Sequence, residues 1–187
     1  MSGLGIEGRA RIIAIGSAKP AEPSAAGAKL AGDDINTDYI ITSRRKRESL
    51  DPQVLRQYLF EELDPDFACS VESGDLIVAG KNFGCGSAME VAVTAVLGAG
   101  VRAVLARSFS RTYYRNAINN GLLPVVCDTR CIREGDRLAI DNEGGLTVRN
   151  LTTGETIAAS PLPQIMLDIF AAGGLVSYFR EHGDFAI

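Results

Sequence analysis

Three short apolar runs, at 76–79, 101–106 and 122–126, alternate with two stretches of helix-forming residues, at 88–97 and 111–120. That order constrains the fold more than any other feature of the chain. Successive strand–helix–strand units bring each strand back parallel to the last, by a crossover of fixed hand, so the centre should be a largely parallel sheet. Gly98 and Gly100 close the first helix and Gly121 stops the second, where a residue without Cβ completes the last turn most readily.

The flanking segments are of a different kind. Residues 9–15 alternate and carry β-branched side chains, the pattern of a strand. Residues 17–32, rich in Ala, Pro, Gly and Ser, read as a flexible loop. Residues 35–41 read as a turn followed by a short extended segment, and 44–49 are so polar that they should face solvent. Asp51-Pro52 puts an aspartate at an N-cap and a proline at the first helical position, which predicts a helix through Tyr58 to about Glu62. Further on, 137–140, 146–150 and 155–158 are short strand patterns joined by turns at 141–145 and 152–154, an antiparallel meander. A helix over 161–171 stops at Gly173-Gly174, and 175–179 is an apolar tail. The expected fold class is α/β, one domain over 1–187 with a barrel-like antiparallel part.

A chain of 187 residues is long enough to bury a real core, and 46% apolar with 22% charged residues is ordinary for a soluble globular protein. A net charge of −4 makes no case for nucleic acid as a partner. No basic segment followed by an apolar core opens the chain, and no run approaches membrane-spanning length, so no membrane role is expected. The cysteines are Cys69, Cys85, Cys127 and Cys131, with no C-x-x-C pair, and His182 is the sole histidine. A complete zinc or iron–sulfur ligand set within this chain is therefore not expected. The cysteines read as reduced thiols of a cytoplasmic protein.

The segment Lys81-Asn82-Phe83-Gly84-Cys85-Gly86-Ser87-Ala88-Met89-Glu90 lies between an expected strand and an expected helix. Gly84 and Gly86 allow a tight turn and close approach of a ligand to the backbone. Ser87 falls at the expected N-cap, where unpaired amides favour an anion. Ser87-x-x-Glu90 also reads as a capping box, in which the two side chains satisfy orphan amides and nothing more. The glycine spacing matches neither a Walker A loop nor a dinucleotide fingerprint.

Two further blocks bear on the choice. Asp33-Asp34-Ile35-Asn36-Thr37-Asp38-Tyr39-Ile40-Ile41 precedes the glycine-rich segment, and Arg115-Asn116-Ala117-Ile118-Asn119-Asn120-Gly121-Leu122 follows it. In that order the three blocks resemble the small-subunit family of 3-isopropylmalate dehydratase, the LeuD-like swivelling domain of the aconitase superfamily. The resemblance runs from about Gly32 to Phe179. It implies a swivelling β/β/α fold and a hydro-lyase subunit, inactive alone. A [4Fe–4S] cluster is then expected on a partner large subunit, and the substrate is a small hydroxy-carboxylate. Ser87 aligns with the family's catalytic serine, whose alkoxide removes a proton beside a carboxylate while the neighbouring hydroxyl leaves as water at the cluster. A free serine is a poor base and needs amide donors to stabilise its anion, which 86–89 can offer. Asp38 aligns with the aspartate that pairs with a histidine of the large subunit; Asp33, Asp34, Asn36 and Asp38 also read as turn formers whose side chains bond the backbone. Asn36 and Thr37 read as shaping that loop.

Two departures stand out. The family's Gly-Ser-Ser-Arg-Glu appears here as Gly86-Ser87-Ala88-Met89-Glu90, so the arginine that clamps a substrate carboxylate is a methionine, without donor or charge. The apolar recognition string of relatives is replaced by Arg45-Lys46-Arg47-Glu48, with Arg44 before it. These residues read either as a solvated basic loop or as a replacement for the clamp, with Arg47 the foremost candidate. Gly86, Ala88, Arg44, Arg45 and Arg47 are thus the candidate substrate-binding residues. Ser110 reads as a helix cap and Cys85 as packing. Against the hydro-lyase reading stands a non-catalytic anion-binding or regulatory module of the same fold, and, further off, a free-standing phosphate-binding domain. A lone chain could form a homo-oligomer.

Overall fold

The computed structural model describes residues 4–15 and 30–184. Strand β1 (Ile6–Ile12) is followed by four short helices: α1 (Thr37–Ile40), α2 (Ser43–Glu48), α3 (Pro52–Leu55) with a 3₁₀ turn (Arg56–Tyr58), and α4 (Phe67–Ser70). Then come β2 (Leu76–Val78), α5 (Val91–Gly98), β3 (Ala103–Ala106), α6 (Arg111–Asn119) and β4 (Leu123–Val126). The meander is β5 (Arg137–Asp141), β6 (Thr147–Asn150) and β7 (Thr156–Ala158), and α7 (Gln164–Ala171) and α8 (Leu175–His182) close the described chain.

The strands form a seven-stranded sheet in the order β4-β3-β2-β1-β5-β6-β7. The pairs β1–β2, β2–β3 and β3–β4 are parallel, as the alternation predicts. The pairs from β1 to β7 are antiparallel. β1 joins the two halves by dividing its length: Ile6 to Arg9 register with Ile140 to Arg137 of β5, whereas Ala10 to Ile12 register with Leu76 to Val78 of β2. The sheet curls until its edges meet, with an antiparallel bridge between Cys127 and Ala159 and a bond from Ser160 N–H to the Val126 carbonyl at 2.8 Å. The barrel-like reading holds.

Curling gives each central strand two apolar faces. Ala10, Ile12, Leu76, Val78, Leu105, Val125, Leu138 and Val148 point into the curl. Their neighbours Ile13, Ile77, Ala79, Val104 and Ala106 point out, under α5 and its surrounding helices. Alternate residues thus enter alternate cores, the pleat at work, and the sequence shows continuous apolar runs. At the β1–β2 seam, Asp75 accepts from Arg9 Nη2 at 3.0 Å and Arg11 Nη1 at 3.2 Å, and Glu134 accepts from Arg11 Nε at 3.0 Å and Ile12 N–H at 2.6 Å.

Several expectations need correction. The first strand lies at Ile6–Ile12, since pairing with β5 starts it early and the chain leaves the sheet after Ile12. Residues 44–49 mostly face solvent as expected, but all except Ser49 belong to helix α2, with ion pairs of Arg44 and Arg45 to Glu48 at 3.3 and 2.9 Å. Thr37–Ile40 is a helical turn where an extended segment was expected. The helix at Pro52 is capped by Asp51, whose side chain accepts from Gln53 N–H at 2.8 Å, but it ends at Leu55 and passes into a 3₁₀ turn. The apolar tail is helix α8. The expected flexible loop at 17–32 lies outside the described residues except for 30–32, which have no regular structure. No helix among the described residues is long and apolar enough to cross a membrane.

Candidate active site

The chain leaving β2 enters a turn laid between two other segments. On one side is the aspartate-rich loop: Lys81 N–H donates to Asp33 Oδ1 at 2.7 Å, Asp34 N–H to the Lys81 carbonyl at 2.8 Å, Gly84 N–H to Ile35 at 2.7 Å, and Thr37 N–H to Cys85 at 2.8 Å. On the other side is the segment after β3. Asn82 N–H donates to Ser108 Oγ at 2.8 Å, Phe83 N–H to the Ser108 carbonyl at 3.0 Å, and the Ser110 hydroxyl to the Gly84 carbonyl at 2.5 Å. Ser110 also accepts from Tyr113 N–H, so it caps α6 as the sequence predicts. The ion pair of Arg107 with Asp33 fastens the outer two segments together. Lys81 N–H, ahead of the Arg107 guanidinium, holds the Asp33 carboxyl below its usual range. No sequence signal points to this pair, whose members are 74 residues apart.

Two of the three blocks quoted above therefore meet at one place. The turn needs its glycines: Gly84 has φ +72° and Gly86 φ +90°, backbone that L side chains seldom adopt. They also delay the helix. Residue Glu90 is the N-cap of α5, without a side-chain cap bond, and Ser87 stands three residues before it. The capping box is not formed. Ser87 and Ala88 are exposed on the turn. Among the described residues, none of the backbone N–H groups from Gly86 to Val91 has an acceptor. A run of donors without an acceptor at a helix entrance favours an anion, and Ser87 lies within that run.

Asp38 is exposed, and its Oδ1 accepts from Ser43 N–H at 3.1 Å, anchoring the start of α2. Asn36 caps α1, its side chain accepting from Tyr39 N–H at 2.9 Å. The basic loop splits by role. Arg45 forms a two-bond fork with Glu61 at 3.0 and 2.8 Å, bonds Glu48, and lies 3.6 Å over the Tyr58 ring, which makes it a structural residue committed elsewhere. Arg44 is paired with Glu48. Arg47 is exposed and has no partner among the described residues. Met89 is 5% exposed and packs into the core beneath the helices, so its side chain does not occupy the turn's open face. Cys85 is half-buried, and burial, then Asp34, pushes its thiol up, away from a reactive thiolate. Burial pushes Cys127 up to about 12. The described residues contain no cluster of His, Cys, Asp and Glu that could hold a metal ion.

Comparison with known proteins places this arrangement. The model of the aconitase C-terminal domain matches residues 52–130. A chain named 3-isopropylmalate dehydratase small subunit 2 from Archaeoglobus fulgidus is 48% identical over 156 residues, 83% of this chain and 94% of that one. The 3-isopropylmalate dehydratase small subunit of Deinococcus deserti is 48% identical over 152 residues, 80% of this chain and 83% of its own. The crystal structure of a 3-isopropylmalate dehydratase (leuD) from Methanocaldococcus jannaschii superposes with a TM-score of 0.82 at 37% identity, over 96% of both chains. The swivelling α/β fold is therefore established, and by likeness over most of both chains this protein belongs to the family of 3-isopropylmalate dehydratase small subunits, hydro-lyase subunits related to aconitase.

Proposed function

We propose that the chain works as the small subunit of a heteromeric iron–sulfur hydro-lyase, with Ser87 as the base that removes a proton from the carbon beside a substrate carboxylate. The observation that carries this reading is the exposed Ser87 within six successive N–H groups that lack an acceptor among the described residues. Donors of that kind stabilise an alkoxide and a neighbouring carboxylate in the same small volume. Because Ser87 stands on an exposed turn, a second wall is needed to exclude water, and the large subunit supplies it. The described residues contain no group of His, Cys, Asp and Glu that could hold a metal ion; in this reading the cluster is carried by the large subunit, and turnover needs both chains. In this reading Asp38, next along from the Thr37 that bonds the turn, orients a histidine of the partner. The substrate is isopropylmalate or a related substituted malate; a relative from Methanocaldococcus jannaschii, 43% identical over 152 residues, is named isopropylmalate/citramalate isomerase small subunit. Arg47, exposed and without a partner among the described residues, is a cation that can meet its carboxylate.

The test is turnover of isopropylmalate by the complex assembled with its large subunit. Ser87→Ala should assemble normally and lose roughly 10²–10⁴-fold in kcat. Assembly with most of the turnover retained would instead support the non-catalytic, anion-binding reading of the turn.

A further inference from the structure

We infer that Thr37 is a positioning residue for Ser87: its hydroxyl, fixed in the aspartate-rich loop, sets where the catalytic hydroxyl stands. The inference rests on the reading of Ser87 as the base. Thr37 is 2% exposed and opens α1, so its side chain has little freedom. Its N–H donates to the Cys85 carbonyl at 2.8 Å, and its Oγ1 donates to the Ser87 carbonyl at 3.0 Å. One residue thus bonds the turn at both ends of Gly86, the position with φ +90°.

What makes this contact decisive is what the turn lacks. Among the described residues, the backbone of Gly86 and of Ala88 makes no hydrogen bond, and the bond from Thr37 is the single one that Ser87 receives. On one side the chain is held at Cys85, again by Thr37, and on the other by burial of Met89. Without the Oγ1 bond, 86–88 would be a three-residue span free to rotate about a glycine. The bond also has an electrostatic consequence. The Ser87 carbonyl and the Ala88 N–H share one peptide unit, so donation to the carbonyl polarises that N–H and strengthens it as a donor to an anion. Asp38 follows Thr37 directly, so the bonds of Thr37 are those nearest to both Ser87 and Asp38 among the bonds that join the two loops.

The test compares Thr37→Ser, Thr37→Cys and Thr37→Val in the assembled complex, with Ser87→Ala beside them. If donation matters, kcat on isopropylmalate falls in the order Ser, Cys, Val, because hydroxyl, thiol and methyl are successively poorer donors. Thr37→Val should lose roughly 10- to 100-fold in kcat, the cost of a misplaced reacting group, with KM changed little. If Thr37 only fills space, the order reverses, since valine matches threonine in volume and serine does not. That reversed order, or Thr37→Val at wild-type kcat while Ser87→Ala is dead, overturns the inference alone. A live Ser87→Ala overturns the reading of Ser87 itself. Amide order parameters at Gly86–Ala88 give a readout independent of turnover: they should drop in Thr37→Val and stay high in Thr37→Ser, and unchanged values in Thr37→Val overturn the positioning role.

Discussion

Gly84 lies flat against the ring of Tyr113, so close that a Cβ at residue 84 would stand 2.2 Å from Tyr113 Cγ. The ring is in turn boxed in by Phe83 at 5.1 Å and stacked with Phe109 at 6.4 Å between centroids. The glycine that permits the turn is thus also the one that lets α6 support it. Gly84→Ala combines a positive φ with overpacking against an immobile ring. It should cost about 2–4 kcal/mol of stability, measured by denaturant unfolding. Tyr113→Phe tests the same packing from the other side. The Tyr113 hydroxyl is buried with no partner among the described residues, and burial raises its pKa. Its removal should leave the melting temperature equal or higher, since an unpaired buried hydroxyl stabilises nothing.

Met89→Arg supplies the arginine that the resemblance implies for this position, but at a buried place. The methionine side chain is in the core with Val91, Ala92 and their neighbours. An arginine there must either bury a charge without a partner or pull out and leave a void, and each costs on the order of 2–5 kcal/mol. The expected result is a lower melting temperature with no gain in kcat/KM for isopropylmalate. A gain without loss of stability would show that the side chain can turn to the open face.

Acid stability depends on Asp75. Burial raises its pKa, but bonds from Arg9, the Glu72 N–H and Arg11 together outweigh burial and leave it below the ordinary carboxylate value. A carboxyl whose folded pKa is depressed stabilises the fold above its unfolded pKa, and that contribution is lost as pH falls through the folded value. Asp75→Asn should therefore lower stability at neutral pH and flatten its decline below pH about 4, followed by thermal melts across pH. An unchanged acid profile would place the sensitivity elsewhere.

The core was legible in the sequence because β2, β3 and β4 are short continuous apolar runs whose separating helices carry their own stop signals. The inner and outer faces were not, since a curled sheet buries both and erases the alternation that marks one side. Helix α2 was hidden for a different reason. Its Arg- and Lys-rich sequence resembles a solvated loop, and what makes it helical is tertiary: Arg45 reaches Glu61 and the face of Tyr58. At the site, the order of the motifs pointed to Ser87 and Asp38. One of the contacts that join their loops, Thr37 to Ser87, spans 50 residues and leaves no trace in local spacing. Ser87 looked like a cap because Ser-x-x-Glu has the right spacing; two positive-φ glycines move the helix start to Val91 and free the hydroxyl.

Arg45 and Arg47 are two residues apart and should respond oppositely to the same substitution. The Arg45 side chain is 16% exposed, bonded by Glu61 and Glu48 and stacked on Tyr58, so its removal takes the arginine fork from Glu61, leaves Glu48 with Arg44 alone, and uncovers a ring. Arg45→Ala should lower the melting temperature of the isolated chain, and any loss of turnover should track the loss of folded protein. Arg47 is exposed and has no partner among the described residues, so Arg47→Ala should leave the isolated chain's melting temperature within about a degree, as surface substitutions do. In the assembled complex it should reduce kcat/KM by roughly 10- to 100-fold, the loss expected when a charge-assisted bond to a carboxylate disappears. Arg47→Lys keeps the charge but not the planar fork, and should recover part of the loss. Indifference to both Arg47 substitutions would make the basic loop a solvated surface, and the substrate carboxylate would then be held by the amides after Gly86 and by the large subunit.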